Sequence, residues 1–131
     1  MNKDFTKHNQ ALALKELGFD ETCLTYYNYD KRIERSDDWA YGCTLIDKRD
    51  RNQCLAPLYQ QAFRWFREKH GLIGQPIPLS ISYPGKVTHY GWSIVSNQNS
   101  NDWENENDRF KSYEEAESAC LDKLIEIIKN K

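Results

Sequence analysis

The sequence predicts an α+β fold: a small, largely antiparallel sheet of three or four strands covered by helices on one face. Three observations lead there. Helical periodicity recurs near the start, in the middle and at the end of the chain, two-residue alternation fills the stretch from Ile77 to Val95, and Gly and Pro punctuate the joins. The resulting order is helix, strand, a weaker strand, helix, two strands, helix. A chain of 131 residues is read as one domain spanning 1–131.

The first helix is predicted to start at Thr6 as N-cap and to run to Leu17, with Ala11, Leu14 and Leu17 on one side and Gly18 supplying a left-handed stop. "TCLTYYNY", Thr22 to Tyr29, is rich in β-branched and aromatic residues and short enough for a strand. Residues 30–53 form a charged excursion with six Lys or Arg against six Asp or Glu, and with a weak strand signal at "WAYGCTLI". The balance of signs distinguishes it from a basic arm.

"APLYQQAFRWFREKHGL" raises the question of whether its rings and cations read a nucleic acid. At 100° per residue, Leu55, Leu58, Tyr59, Ala62, Phe63, Trp65 and Phe66 fall within an arc of about 160°, and Gln60, Gln61, Arg64, Arg67 and Glu68 lie on the other side. A nucleic-acid platform presents aromatic faces and cations together, so this is a core-forming amphipathic helix, with Pro57 in its first turn and Gly71 at its end. Arg64 and Arg67 are left as candidate partner contacts on its polar face, where an Arg64–Glu68 pair is the ordinary alternative.

"IPLSISY" alternates, with Ile77, Leu79, Ile81 and Tyr83 on one face, and "VTHYGWSIV" answers with Thr88, Tyr90, Trp92 and Ile94. A hairpin that sets Ile81 opposite Thr88, Leu79 opposite Tyr90 and Ile77 opposite Trp92 gathers the apolar groups on one side, and a slip of one residue undoes the match. Residues 96–111 are Asn-rich, acidic and aperiodic, which predicts a mobile polar loop. Trp103 in that loop is a third candidate partner contact, against the alternative that it folds back on the sheet. "SYEE" is a capping box with Ser112 as N-cap and Glu115 as N3. It opens a last helix whose stripe is Tyr113, Ala116, Cys120, Leu124 and Ile127, widened by Leu121 and Ile128. Glu117 is the polar member of that stripe.

Composition narrows the function classes. A net charge of −2 and a pI near 5.9 argue against bulk electrostatic attachment to nucleic acid, and no apolar run approaches the roughly 20 residues of a membrane span. The opening "MNKDFTKHNQ" has no hydrophobic signal segment, so the expected location is the cytoplasm. Cys23, Cys43, Cys54 and Cys120 include no C-x-x-C pair, and His8, His70 and His89 have no spacing that seats two on one helical face. No metal, cofactor or catalytic residue is assigned. For hydrolytic chemistry the loose candidates are Glu117, Asp37, Asp38 and His70.

The "AP" pair, then "RW-x-RE-x-H" at the end of the same helix, then a C-terminal "YEEA" helix, resemble a family of small uncharacterised proteins of phages, prophages and other mobile elements of gut Bacteroidales. The matching residues are Ala56, Pro57, Arg64, Trp65, Arg67, Glu68 and His70, and Tyr113 to Ala116. "IGQPIP" departs from the pattern and the 30–53 excursion is unmatched. The resemblance implies a mobile-element accessory protein and carries no activity or site residues.

The expectation is therefore a non-enzymatic module that binds a host or phage protein, with no membrane partner and with self-association left open. A nucleic-acid accessory factor using Arg32, Arg35, Lys48, Arg49, Arg51, Arg64 and Arg67 ranks second, and a hydrolase third. A double-stranded RNA binding domain is rejected, because its three consecutive strands leave no place for the central helix and Glu114, Glu115 and Glu117 replace its basic helix start.

Overall fold

In the computed structural model the described residues are 2–35, 53–82, 85–96 and 103–130. They form an α+β structure with two three-stranded antiparallel sheets instead of the one sheet expected. The chain divides into two compact units, Met1–Ala62 and Phe63–Lys131. The sequence signal "WAYGCTLI", most of the charged excursion, and Asp37 and Asp38 lie outside the described residues.

In the first unit, α1 (His8–Glu16) starts one residue later than expected, with Lys7 instead of Thr6 at the cap. Thr6 is drawn elsewhere: its N–H donates to Pro57 O at 2.9 Å, beside a bridge between Phe5 and Leu58. The Gln10 side chain then takes the Lys7 N–H at 3.0 Å. The exit follows expectation. Gly18 has φ +97°, its N–H donates to Lys15 O, and Phe19 N–H reaches back to Leu14 O, the paired bonds of a Schellman stop.

Strand β1 (Thr25–Tyr27) pairs with β2 (Ile33–Arg35) on one side and β3 (Cys54–Ala56) on the other. The strand expected to reach Tyr29 ends early because Asn28 makes a turn, its Oδ1 accepting from Asp30 N and Arg32 N while Lys31 takes φ +64°. Glu34 closes the hairpin by accepting from Tyr26 Oη and Asn28 Nδ2, each at 2.9 Å. Leu55 belongs to β3, so Pro57 precedes the central helix instead of opening it.

That helix, α2 (Tyr59–His70), has the predicted phase. Tyr59, Ala62, Phe63, Trp65 and Phe66 are buried, whereas Gln60, Arg64, Arg67, Glu68 and Lys69 are exposed. Gly71 ends it at φ +67°.

The second unit carries β4 (Leu72–Ser82), β5 (Lys86–Ser96), β6 (Trp103–Phe110) and α3 (Tyr113–Lys129). The β4–β5 hairpin adopts the one-residue slip that the apolar pattern disfavours: Ile77 stands opposite Gly91, Pro76 opposite Trp92 and Pro78 opposite Tyr90. Ile77 consequently leaves the face of Trp92. The reason lies in α3, which packs on β4 and β5. A Cβ at Gly74 would come within 2.9 Å of Leu124 Cδ1 and 3.0 Å of Cys120 Sγ, so the face under the helix needs a glycine, which the slipped register places opposite Ile94. Gly74→Ala is expected to cost about 1–3 kcal/mol by overpacking, read as a lower midpoint in denaturant unfolding with unchanged slope.

Residues 103–110, expected within a mobile loop, form the third strand of this sheet. The polar composition hid it because an edge strand needs backbone pairing on one side only. At α3 the Ser112 Oγ accepts from Glu115 N at 3.1 Å, but the Glu115 carboxylate accepts from Lys111 N at 3.3 Å, one residue before the position a capping box assigns it. The buried stripe is Ala116, Cys120, Leu121, Leu124 and Ile125. Tyr113 is exposed, with its ring edge-on to Tyr90 at 5.9 Å, and Ile127 and Ile128 are half-buried.

Candidate functional site

Alternation in the second sheet sorts its residues between two faces. Trp92 and Ile94 are buried, and Gly74, opposite Ile94, meets α3. The intervening residues belong to the opposite face. There Ile73 stands opposite Val95, and Val95 opposite Trp103, a row of three apolar residues crossing all three strands. Ile73 is 36 % and Val95 38 % exposed, unusual for aliphatic residues in adjoining strands. The next row, Gln75, Ser93 and Asn105, is polar. The row is therefore a bounded apolar strip with a polar flank.

Of the three candidate contacts, Trp103 falls in this row by register, at the start of β6. Arg64 and Arg67 are exposed on α2. The sequence put Val95 on the face away from Ile94, but Ile73 was missed because "LIGQPIP" reads as a connection when its prolines are taken as strand breakers.

The other sequence candidates have local structural settings. Glu117 and Ser118 are buried on α3. The His70 ring meets Trp65 edge-on at 5.0 Å and lies 5.8 Å from Phe66. Arg32 and Arg35 belong to the first unit and Arg64 and Arg67 to the second, and Lys48, Arg49 and Arg51 are outside the described residues. Among the described residues no group of His, Cys, Asp and Glu is arranged to hold a metal ion, and no helix is long and apolar enough to cross a membrane.

A second polar cluster lies in the first unit. Tyr59 Oη donates to Gln10 Oε1 at 2.9 Å, Tyr27 Oη donates to Thr6 O at 2.6 Å, and Thr25 Oγ1 donates to Ala56 O at 2.9 Å. Burial, with Cys54 and Tyr59 nearby, pushes the Tyr27 phenol up to about 12. Burial likewise pushes the Cys54 thiol up to about 12 despite the opposing pull of Lys15, whose ammonium donates to Gln53 O at 2.7 Å. A thiol held protonated is a poor nucleophile, and Cys120, also raised to about 12 mainly by burial, is no better. Within the first unit the Tyr59–Gln10 bond ties α1 to the start of α2, and the Lys15–Gln53 bond ties it to the chain entering β3.

Comparison with family models, with curated proteins and with solved structures finds no match.

Proposed function

We propose that this protein is a non-enzymatic binding module, an accessory protein of a phage or other mobile element, that docks a host or phage protein on the β4-β5-β6 face opposite α3. The observation that carries the reading is the exposed strip of Ile73 and Val95, continued in register by Trp103. Aliphatic groups joined across strands present contiguous apolar area, and an aromatic residue at the end of the strip supplies the type of side chain that concentrates binding energy. The mobile-element assignment rests on the "AP", "RW-x-RE-x-H" and "YEEA" segments.

Affinity capture from host cells, with the wild type set beside an Ile73→Ser/Val95→Ser variant, tests it. A protein partner retained by the wild type through rising salt and lost from the variant, with the variant's melting transition intact, is the expected result. Capture indifferent to the two substitutions sinks the proposal. So does nucleic-acid binding that falls steeply with salt and disappears in Arg64→Ala/Arg67→Ala, because counterion release marks a phosphate-bound complex.

A further inference from the structure

The apolar stripe of α3 carries one charged residue into the fold. At 100° per residue Glu117 lies between Cys120 and Leu121, within about 20° of Leu124, and it is 8 % exposed. A carboxylate taken that far out of water needs donors or positive charge beside it. It offers about four acceptor positions, so a bond inside the fold still leaves room for a cation.

One turn earlier on the same stripe stands Tyr113, 44 % exposed, its ring 5.9 Å from that of Tyr90 and at 88° to it. Tyr90 is half-buried, with Pro78 opposite it on β4 and the half-buried Phe110 opposite it on β6. Near-perpendicular rings at this separation meet edge to face, so one of them keeps both faces clear of the other. A cation about 4–5 Å above that face, in the corner between the rings, stays within roughly 6 Å of both centroids, where the ring quadrupoles attract it. Burial, with the Glu117 and then the Glu114 carboxylate nearby, raises the Tyr113 phenol above its usual pKa, so both anions act on this corner. Glu114, Glu115 and Glu117 occupy the first turns of α3, against Lys111 and the roughly half-unit positive charge of a helix N-terminus. The side chains of Pro78 and Phe110 offer no acceptor, so a primary ammonium would lose hydration there without replacement. An ammonium that carries methyl groups has less hydration to lose and lays its methyls on the rings.

We infer that the corner between Tyr90 and Tyr113 binds a methylated ammonium group, with Glu114 and Glu117 as its counter-charge. The trimethyl-lysine side chain of a protein and the choline headgroup of a lipid share this chemistry. Tyr90 is on the face of Trp92 and Ile94, away from Ile73 and Val95, so the inference stands or falls separately from the docking strip.

An NMR titration of the full chain with choline, set beside its neutral carbon isostere 3,3-dimethyl-1-butanol, tests it. Choline should shift the Tyr90 and Tyr113 amides saturably and bind about tenfold tighter than the isostere. Tyr113→Leu should weaken choline about tenfold and Tyr113→Phe should retain it, because the ring face and not the hydroxyl holds the cation; the melting transition reports that both variants are folded. Glycerophosphocholine and an acetylated trimethyl-lysine amide then separate the two sources, and tighter binding of either one supports the inference. Equal affinity for choline and its isostere overturns it. So does the absence of saturation, a folded Tyr113→Leu chain that binds choline like the wild type, or an unmethylated lysine amide that binds as tightly as the trimethylated one.

Discussion

Truncation after Lys111 is expected to abolish the cooperative unfolding transition. The removed helix α3 buries Ala116, Cys120, Leu121 and Leu124 completely and Ile125 nearly so, and its large aliphatic groups contribute about 1.5–3 kcal/mol each before the entropy of ordering them. A domain is stable by only about 5–15 kcal/mol in total. The loss also strips the cover from Trp92 and Ile94, and leaves Gly74, shaped for close approach of Leu124, as a flexible residue within a strand. Thermal scans by circular dichroism, with tryptophan fluorescence as a second probe, will read the change. A truncated chain that melts with the wild-type midpoint would show α3 to be an appendage.

The second large effect is expected at Trp65, where truncation to alanine should cost about 3–5 kcal/mol. Its ring is 3 % exposed and meets Phe66 edge-on at 5.0 Å and His70 at the same distance. Arg64→Ala and Arg67→Ala, on the exposed side of the same helix, should each stay within about 0.5 kcal/mol of wild type. Urea unfolding of the three variants in parallel separates burial from charge. Equal losses at all three positions would mean that the arginines support a network the helical phase does not capture.

The contrast between those neighbours was legible in the sequence because a helix imposes its own period. Tyr59, Phe63 and Phe66 repeat at three and four residues, and only one face can hold them. The Gly18 and Gly71 stops were legible for a similar reason: each requires a left-handed backbone, which glycine adopts without steric cost. Thr6 was misplaced as a cap because its backbone is held by a residue far along the chain, Pro57, whose carbonyl accepts its N–H, and its buried Oγ1 caps no helical N–H. β3 was missed because three residues are too few to show alternation.

The candidate strip shows the same division. Val95 could be assigned to the face away from Ile94 by alternation alone. Ile73 and Trp103 joined it only when β4 was seen to begin at Leu72 and β6 to exist.

What the sequence determined by itself is whatever acts over a turn or two of chain: the α+β class, the phase of α2, the Ser112 cap and the helix exits. What only the tertiary structure decided is which strands share a sheet, in what register, and which face is left exposed. The apolar pattern favoured Ile77 opposite Trp92, yet the chain sets Pro76 there and Ile77 opposite Gly91. Close packing of Leu124 and Cys120 over Gly74 fixes that outcome. Local patterns cannot encode it, because the distance between a helix and a strand 50 residues earlier is set by the volumes of side chains that meet only after folding.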